Sequence, residues 1–489
     1  MQVYRTNKEK TIAGKASILT KKSIWCLIRP LFFVGRVGAG APGVEEETTV
    51  SVLKTILQII GGFTGLYLAG MMIYQLILGF FGFGKKTKDY EDHDPESRFL
   101  VLVPAHNEEK VIRDIVQNLQ EMDYPKELYD FYIIADNCTD RTADVVRELG
   151  ANVIETQKES PDAPTGKPIA LRKALEAIGD YRSRYDLMMI FDADNLIDTN
   201  MFREVNSQYL DKDKPDFIQC YLGAKNKKGI VAWFYYTGYT LTNRFFDLAK
   251  HRLGLNCAIG GTGFAMSTAY LYERGGWTTR SLTEDFEIQV EATLEGRRIL
   301  WNHNTRVYDE KPTSMRASIR QKIRWGQGHW FVALSNTGRL FGSVLTGKIS
   351  IGEFLSLLTY MYSITTYIAA ALQLVVSIAL ALMSPEEPMF TFSLDTTLFG
   401  LALFVYSYMF LFYYADRIDN NVRFSLRTLP VMVGGFAASS IVGVFNQVVG
   451  LLRWRDQLHW VKTEHAIDAD DEQIRNIAPV HHKVKVKAA

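Results

Sequence analysis

Leu187-Met188-Met189-Ile190-Phe191-Asp192-Ala193-Asp194-Asn195 passes in nine residues from an unbroken apolar run to two carboxylates. Five apolar residues followed at once by charged and polar ones predict a short buried strand, and open α/β sheets bind their ligands beyond the C-terminal ends of such strands. Positions i and i+2 of a strand share a face, so Asp192 and Asp194 are expected to point into one site. Hard carboxylate oxygens there suit Mg2+ or Mn2+ carrying a diphosphate. An isolated Asp-x-Asp is more often a solvated turn, so the weight falls on the motifs around it.

Working outward, residues 98–301 alternate short strands (99–103, 131–135, 152–155) with helices such as 141–149, which predicts a mainly parallel sheet covered by helices. The motifs stand at successive strand ends: Pro104-Ala105-His106-Asn107-Glu108, then Asp136, then the Gly166-Lys167-Pro168 loop. A carboxylate offers only acceptors, so Asp136 suits the donor edge of a nucleobase; Lys167 suits a phosphate as a point charge. Gly260-Gly261-Thr262-Gly263-Phe264 lets backbone approach a ligand closely, or makes a tight turn. Thr283-Glu284-Asp285 opens an apolar-periodic helix, where Asp285 is either a general base or a carboxylate favoured by the helix dipole. In Gln321-Lys322-Ile323-Arg324-Trp325, the Arg suits a departing diphosphate, and the Trp suits a sugar face or a membrane interface. Taken together, these parts describe sugar transfer from a nucleotide diphosphate.

Composition sets the surroundings. With 55 basic and 54 acidic residues among 489, charge gives no argument for nucleic acid. Residues 55–84, 354–383 and 396–415 carry no charge at all, and about 20 apolar residues suffice to cross a bilayer. Membrane helices are therefore expected at 50–84, 352–383 and 396–415, with the polar domain (95–313) inserted between the first two. Lys85-Lys86-Thr87-Lys88 assigns that domain to the cytosolic side of a cell membrane, whereas the acidic loop with Glu386, Glu387 and Asp395 is expected outside. Residues 314–345 alternate basic and aromatic residues, as an amphipathic helix at a membrane surface or on the domain would. Residues 428–452 are uncharged but hold Pro430, Asn446 and Gln447 between basic flanks, which suits a re-entrant or interfacial segment. A basic leader (1–49) and a cytosolic tail (453–489) complete the chain. Cys26, Cys138, Cys220 and Cys257 show neither metal nor disulfide spacing and suit a reducing compartment.

The ordered series Pro-x-His-Asn-Glu, Asp136, Asp192-x-Asp194, Thr283-Glu-Asp285 and Gln321-x-x-Arg324-Trp325 resembles the membrane-integrated family-2 glycosyltransferases of the cellulose, chitin and hyaluronan synthase type, over about residues 99–325. The resemblance implies a GT-A fold, a UDP-sugar donor and an inverting reaction. It implies that Asp136 contacts uracil, Asp194 ligates the metal, Asp192 lies against the donor and Asp285 is the catalytic base. Pro104, His106, Asn107, Glu108, Lys167 and Arg324 belong with the donor; Gly261, Thr262, Glu284, Gln321 and Trp325 belong with the acceptor. The tail Trp460-Val-Lys462-Thr463-Glu-His465 also looks like the ending of many bacterial members.

Two features depart from the pattern. Lys322 stands where polymerising members often have Arg or Gln, and three spans are fewer than expected around a polymer-conducting channel. Both bear on processivity and neither on the transfer chemistry. The leading expectation is extension of a β-linked polysaccharide from UDP-glucose or UDP-N-acetylglucosamine. Single addition to a membrane lipid is the second. A non-catalytic nucleotide-sugar-binding subunit is the third, and a pure binder would have no use for Asp285.

Overall fold

The computed structural model describes residues 44–457 apart from 161, 162, 164, 228, 363, 384–393 and 424. The leader before residue 44, the loop with Glu386 and Glu387, and the tail from Trp460 to His465 lie outside the described residues. The chain divides into two units, Met1–Ile59 and Ile60–Ala489. Helix α1 (Val44–Phe80) supplies the described part of the first unit and opens the second.

From there the order is β1 (Phe99–Ala105), α2 (Ile112–Gln120), β2 (Tyr129–Asp136), α3 (Thr142–Glu148), β3 (Asn152–Thr156), α4 (Lys167–Ile178), α5 (Tyr181–Arg184), β4 (Leu187–Ile190), β5 (Leu196–Ile197), α6 (Met201–Asp211) and β6 (Phe217–Ala224). Then come α7 (Gly229–Thr242), a π-helical turn (Asn243–Leu248), α8 (Ala249–Arg252), β7 (Phe264–Ser267), α9 (Thr268–Glu273), α10 (Glu284–Leu294) and β8 (Ile299–Asp309). The expected strands at 99–103, 131–135 and 152–155 are all present, each slightly longer.

The eight strands lie in the order β3-β2-β1-β4-β7-β6-β8-β5. β3, β2, β1 and β4 are parallel, as the alternation of strands and helices predicts, but β7 enters antiparallel to both β4 and β6, so the sheet is mixed. That reversal has a local consequence: Phe264, at the start of β7, pairs with Ile190, at the end of β4. The glycine loop before β7 is thereby set against the Asp192–Asp194 segment after β4.

Burial alternates along β1. Phe99, Val101 and Val103 pack with Ile115 and Leu119 of α2 and Phe202 of α6, whereas Leu100 and Leu102 pack with Leu171 of α4 and Ile288 of α10. Both faces of the sheet are covered, as a parallel sheet requires, and each fully buried aliphatic contributes roughly 1.5–3 kcal/mol.

Beyond the domain run α11 (Met315–Leu345), α12 (Ile351–Met361), α13 (Ile364–Met383), α14 (Leu394–Asp419) and α15 (Leu429–Leu452). The crossing expected at 352–383 is divided into α12 and α13, and at their junction the Thr365 N–H and hydroxyl both donate to the Tyr362 carbonyl, at 2.9 and 2.5 Å. Three helical runs are long and apolar enough to cross a membrane, Thr48–Phe80, Ile364–Met383 and Leu398–Asp419. α15 is an uninterrupted helix whose Pro430 lies in the first turn, where its missing N–H costs nothing.

A buried ionic junction ties these helices to the domain. Fully buried Arg244, in the π turn, donates to both Asp419 carboxylate oxygens at 2.8 and 2.5 Å and to the carbonyls of Gly82 and Gly84 at 2.8 Å each. His303 of β8 adds a 3.0 Å contact to Asp419.

Candidate functional site

The sheet edge and the helices beyond it enclose one cavity of about 1490 Å3. Pro104, His106, Glu108, Asp136, Lys167, Asp192, Asp194, Gly261, Thr262, Glu284, Asp285, Gln321, Arg324 and Trp325 all line it. Asn107 stands just behind: its positive φ of 56° turns the chain, and its side chain accepts from Thr139 N at 2.7 Å. A single small ligand usually fills about 300–1,000 Å3, so there is room for a nucleotide sugar and an acceptor together.

At one end, His106 Nδ1 lies 2.7 Å from the Asp136 carbonyl and links the ends of β1 and β2. The Asp136 carboxylate accepts from Asn137 Nδ2 and Thr156 Oγ1, each at 2.8 Å.

Asp192 and Asp194 reach the cavity by a route other than the expected one. β4 ends at Ile190, and the two aspartates ride on a turn closed by Asn195 N donating to the Asp192 carbonyl at 3.1 Å. Their common facing therefore comes from the turn, not from strand alternation. Fully buried Asn195 organises it: its Oδ1 accepts from Asp192 N at 3.0 Å and from the Thr262 hydroxyl, and its Nδ2 donates to Asp194 Oδ1 at 3.1 Å. Thr262 brings the glycine loop with it. Gln219, buried on β6, holds that loop from beneath by accepting from Gly260 N at 2.9 Å and donating to the Thr262 carbonyl at 3.0 Å.

Lys167 is the first residue of α4 and not part of a loop, because Gly166, at φ 123°, makes the turn before it. Its ammonium donates to Asp192 Oδ1 at 2.7 Å and to the Gly261 carbonyl at 2.6 Å, with Glu284 3.6 Å away. Burial alone would lower its pKa, but Asp192, Glu284 and Asp285 outweigh burial and raise it, so the side chain stays charged.

Asp285 lies in the first turn of α10, with Oδ1 accepting from Phe286 N at 2.8 Å. Burial and the adjacent Glu284 push its pKa up to about 7, against the opposing pull of Phe286 N–H, Lys167 and Arg324. A Cβ at Gly261, where φ is +77°, would sit 2.9 Å from Asp285 Oδ2. The loop glycine is thus what lets backbone pass the carboxylate. Burial lowers the pKa of Arg324, while Glu284, Asp285 and Asp192 act to restore it.

The far wall is aromatic and helical. Tyr235 of α7 donates to Gln321 Oε1 at 3.0 Å and meets Trp325 edge-on with centroids 6.2 Å apart. Lys322 lies over the rings of Phe234 and Tyr235, 4.7 and 5.2 Å from their centroids, and burial lowers its pKa to about 8. α11 packs on the domain and on α15 through glycines. A Cβ at Gly328 would strike Thr283 at 2.4 Å, and one at Gly450 would strike Gly326 at 2.7 Å. Gln457 closes the corner, accepting from Leu282 N at 2.8 Å and donating to the Gln327 carbonyl at 3.3 Å.

Sequence reasoning misses the role of several groups at the site. Asn195, buried behind the turn, carries a local signal, since it directly follows Asp194. Tyr235, Tyr239 and Gln457 carry none: two lie in an apolar helix and the third in a basic flank. Asp309, at the end of β8, pairs with buried Lys311 at 2.5 Å, and the lysine lies 3.3 Å from the centroid of Tyr239.

Residues 95–328 match the sequence profile of the family described as "Glycosyltransferase like family 2". This segment is a family-2 glycosyltransferase domain. Its curled mixed sheet, with the ligand-facing loops at one edge, is a GT-A-like glycosyltransferase fold. Among similar proteins, a "Probable glycosyltransferase YdaM" of Bacillus subtilis is 26% identical over 298 residues, covering 55% of this chain and 66% of that protein. A "Beta-monoglucosyldiacylglycerol synthase" of Nostoc sp. is 24% identical over 75% of this chain and 76% of its own length. A "Poly-beta-1,6-N-acetyl-D-glucosamine synthase" of Staphylococcus epidermidis is 21% identical over 61% and 73%. The matched region spans under two thirds of some relatives, 48% for the Synechocystis sp. β-monoglucosyldiacylglycerol synthase. A mannosyltransferase from Pyrobaculum calidifontis, solved with GDP-Man and Mn2+, aligns over 82% of this chain and 99% of its own at 16% identity, with a TM-score of 0.49.

Proposed function

We propose that this chain transfers a sugar, glucose or N-acetylglucosamine, from a UDP-sugar onto a growing β-linked polysaccharide with inversion at the anomeric carbon. One observation carries the proposal: Asp285, its pKa raised to about 7, opens onto the cavity in which Lys167 pairs with Asp192. A base poised near neutrality beside a fixed cation is what transfer from a diphosphate needs.

In this reading Asp136 accepts from uracil, and the loop from Pro104 through His106, Asn107 and Glu108 supports the nucleoside. Lys167 and Arg324 counter charge on the diphosphate. Asp192 and Asp194 are oxygen donors of the kind Mg2+ or Mn2+ takes beside substrate phosphates, where one or two carboxylates suffice, and Asp194 is the proposed ligand. Among the described residues no group of three or more His, Cys, Asp or Glu converges. A bound cation would neutralise charge developing on the leaving diphosphate. The acceptor hydroxyl oxygen attacks the anomeric carbon, the bond to the phosphate oxygen breaks with its electron pair leaving on UDP, and the hydroxyl proton passes to Asp285. Gln321 and Trp325, with Glu284, Gly261 and Thr262, hold the acceptor. The chain is proposed to lie in the cell membrane as a multi-pass protein, with the domain on the cytosolic side where UDP-sugars are made and 428–452 re-entrant or interfacial.

Single addition to a lipid acceptor is the second reading, favoured by the Nostoc synthase match over 75% of this chain and by Lys322 in the acceptor wall. Incubating purified membranes with labelled UDP-sugars and Mg2+ or Mn2+, then sizing the product, separates the two. Long glycan supports the first reading and a one-sugar lipid the second. No chelator-sensitive transfer from any UDP-sugar would overturn both.

A further inference from the structure

A second cavity, of about 380 Å3, lies at the domain end of α14 and shares no residue with the first; Phe410, Tyr413, Tyr414, Arg417, Ile418 and Arg423 line it. Phe410, Tyr413, Tyr414 and Arg417 are spaced i, i+3, i+4 and i+7, so one face of the helix presents an aromatic floor that ends in a cation. Arg417 donates to Asn421 Oδ1 at 3.1 Å. Arg423 makes no hydrogen bond or ion pair with any described residue, and both arginines are exposed.

The depth of this cavity along the helix is fixed by two observations. The apolar run Leu398–Asp419 is long enough to cross a bilayer, and Asp419, at its end, is gripped by Arg244 and His303 of the domain. The end of the run therefore falls at the level where lipid headgroups begin. Tyrosine and arginine favour that level, with rings at the boundary and guanidinium groups among the phosphates. Basic pockets beside membrane helices there recognise acidic headgroups. The floor belongs to the junction itself, since Tyr414 accepts from Gly84 N at 2.9 Å and packs against Phe83, centroids 4.8 Å apart.

The geometry points to a binding site for an anionic phospholipid, its phosphate between Arg417 and Arg423 and an acyl chain along Phe410 and Ile418. The site depends neither on the sugar nor on the acceptor of the proposed reaction, and its test requires no turnover. The full chain is reconstituted in vesicles of equal parts phosphatidylcholine and phosphatidylglycerol, re-extracted, and its retained lipid measured by mass spectrometry. Phosphatidylglycerol should be enriched, and Arg417→Gln/Arg423→Gln should reduce the enrichment by about tenfold or more, given the contribution of each arginine near an acidic surface. The equally charge-depleted Arg113→Gln/Arg182→Gln, both on the soluble domain, should stay within about twofold of the parent. On the unaltered protein, photoactivatable phosphatidylglycerol should label residues 410–423, which keeps the test decisive if the double variant fails to fold. Equal enrichment in both variants, or labelling confined to other segments, overturns the site.

Discussion

At the sheet edge, Asp136, Asp192 and Asp194 are set by strand ends and by bonds to Thr156, Asn195 and Thr262, all within the same domain. On the opposite wall of the cavity, Gln321 is set by Tyr235, 86 residues earlier, and α11 is wedged between Thr283 and α15 by contacts at glycines. The proposed donor wall is fixed by backbone and buried hydrogen bonds. The proposed acceptor wall is fixed by how helices outside the sheet pack against it. Changes to the membrane-side helices should therefore reach acceptor chemistry first and leave nucleotide binding alone, while Asp285 stands where the two walls meet.

The largest effect is expected there. Asp285→Asn keeps size and polarity but cannot take a proton, so transfer should fall by ~10²–10⁴ with UDP affinity unchanged. A loss of under about threefold would mean that Asp285 is only a helix-start residue, for which Asn serves nearly as well. The parent should also gain activity as pH rises through about 7, and the variant should lose that dependence. Because burial raises this pKa above its ordinary 3.8, the protonated group favours the folded state at low pH; that contribution is lost as pH rises through about 7. Stability should thus fall between about pH 4 and about 7, and activity should rise as pH passes about 7.

Next in size is a paired test on α11. Gly328→Ala places a Cβ 2.4 Å from the Thr283 hydroxyl and 2.7 Å from its backbone nitrogen, so α11 must move off the start of α10 at a cost of about 2–3 kcal/mol. Transfer should fall with that displacement and UDP binding should hold. Gly338→Ala, on the same helix, meets nothing within 4 Å and should be neutral or stabilising by up to about 1 kcal/mol. Equal loss of UDP binding in Gly328→Ala, read by calorimetry, would break the separation of the walls.

Asn195→Ala tests the donor wall in turn. The Thr262 hydroxyl loses its acceptor and Asp192 N its nearer partner, worth about 1–2 kcal/mol of stability. UDP and metal affinity should weaken together, while acceptor KM holds. Thermal unfolding and UDP titration with and without Mn2+ measure both.

The same division explains what the sequence reveals. Asp136, Asp192 and Asp194 were legible because each stands at or just after the end of a strand whose apolar run marks it, Asp285 because it opens an apolar-periodic helix, and the glycine loop because its composition is unusual. The reversal of β7 was not legible, since its Phe-Ala-Met-Ser run looks the same in either direction and only its partners Ile190 and Gln219 fix its sense. Nor was Tyr235, whose helix reads as uniformly apolar although one face carries cavity groups. The break at Tyr362 hides for a related reason: no residue from 354 to 383 is charged, so a hydropathy pattern runs straight through the junction of the two helices.

The smallest effect concerns Lys322. It lies over Phe234 and Tyr235 on the proposed acceptor wall, an arrangement worth about 0.5–1 kcal/mol, or two- to fivefold in binding, when partly exposed. Lys322→Met keeps the length of the side chain and removes its charge, so acceptor KM should rise by that factor at pH 7 while donor KM and UDP affinity stay put. Burial lowers the lysine pKa to about 8, so the parent itself loses the charge above that pH. The difference between parent and variant should therefore be full below pH 7 and shrink towards pH 9, and Lys322→Arg, which remains charged throughout, should show no such convergence. Steady-state kinetics at pH 7 and 9, varying donor and acceptor separately, decide the matter. A rise in donor KM instead would assign Lys322 to the diphosphate and place α11 on the donor side of the cavity.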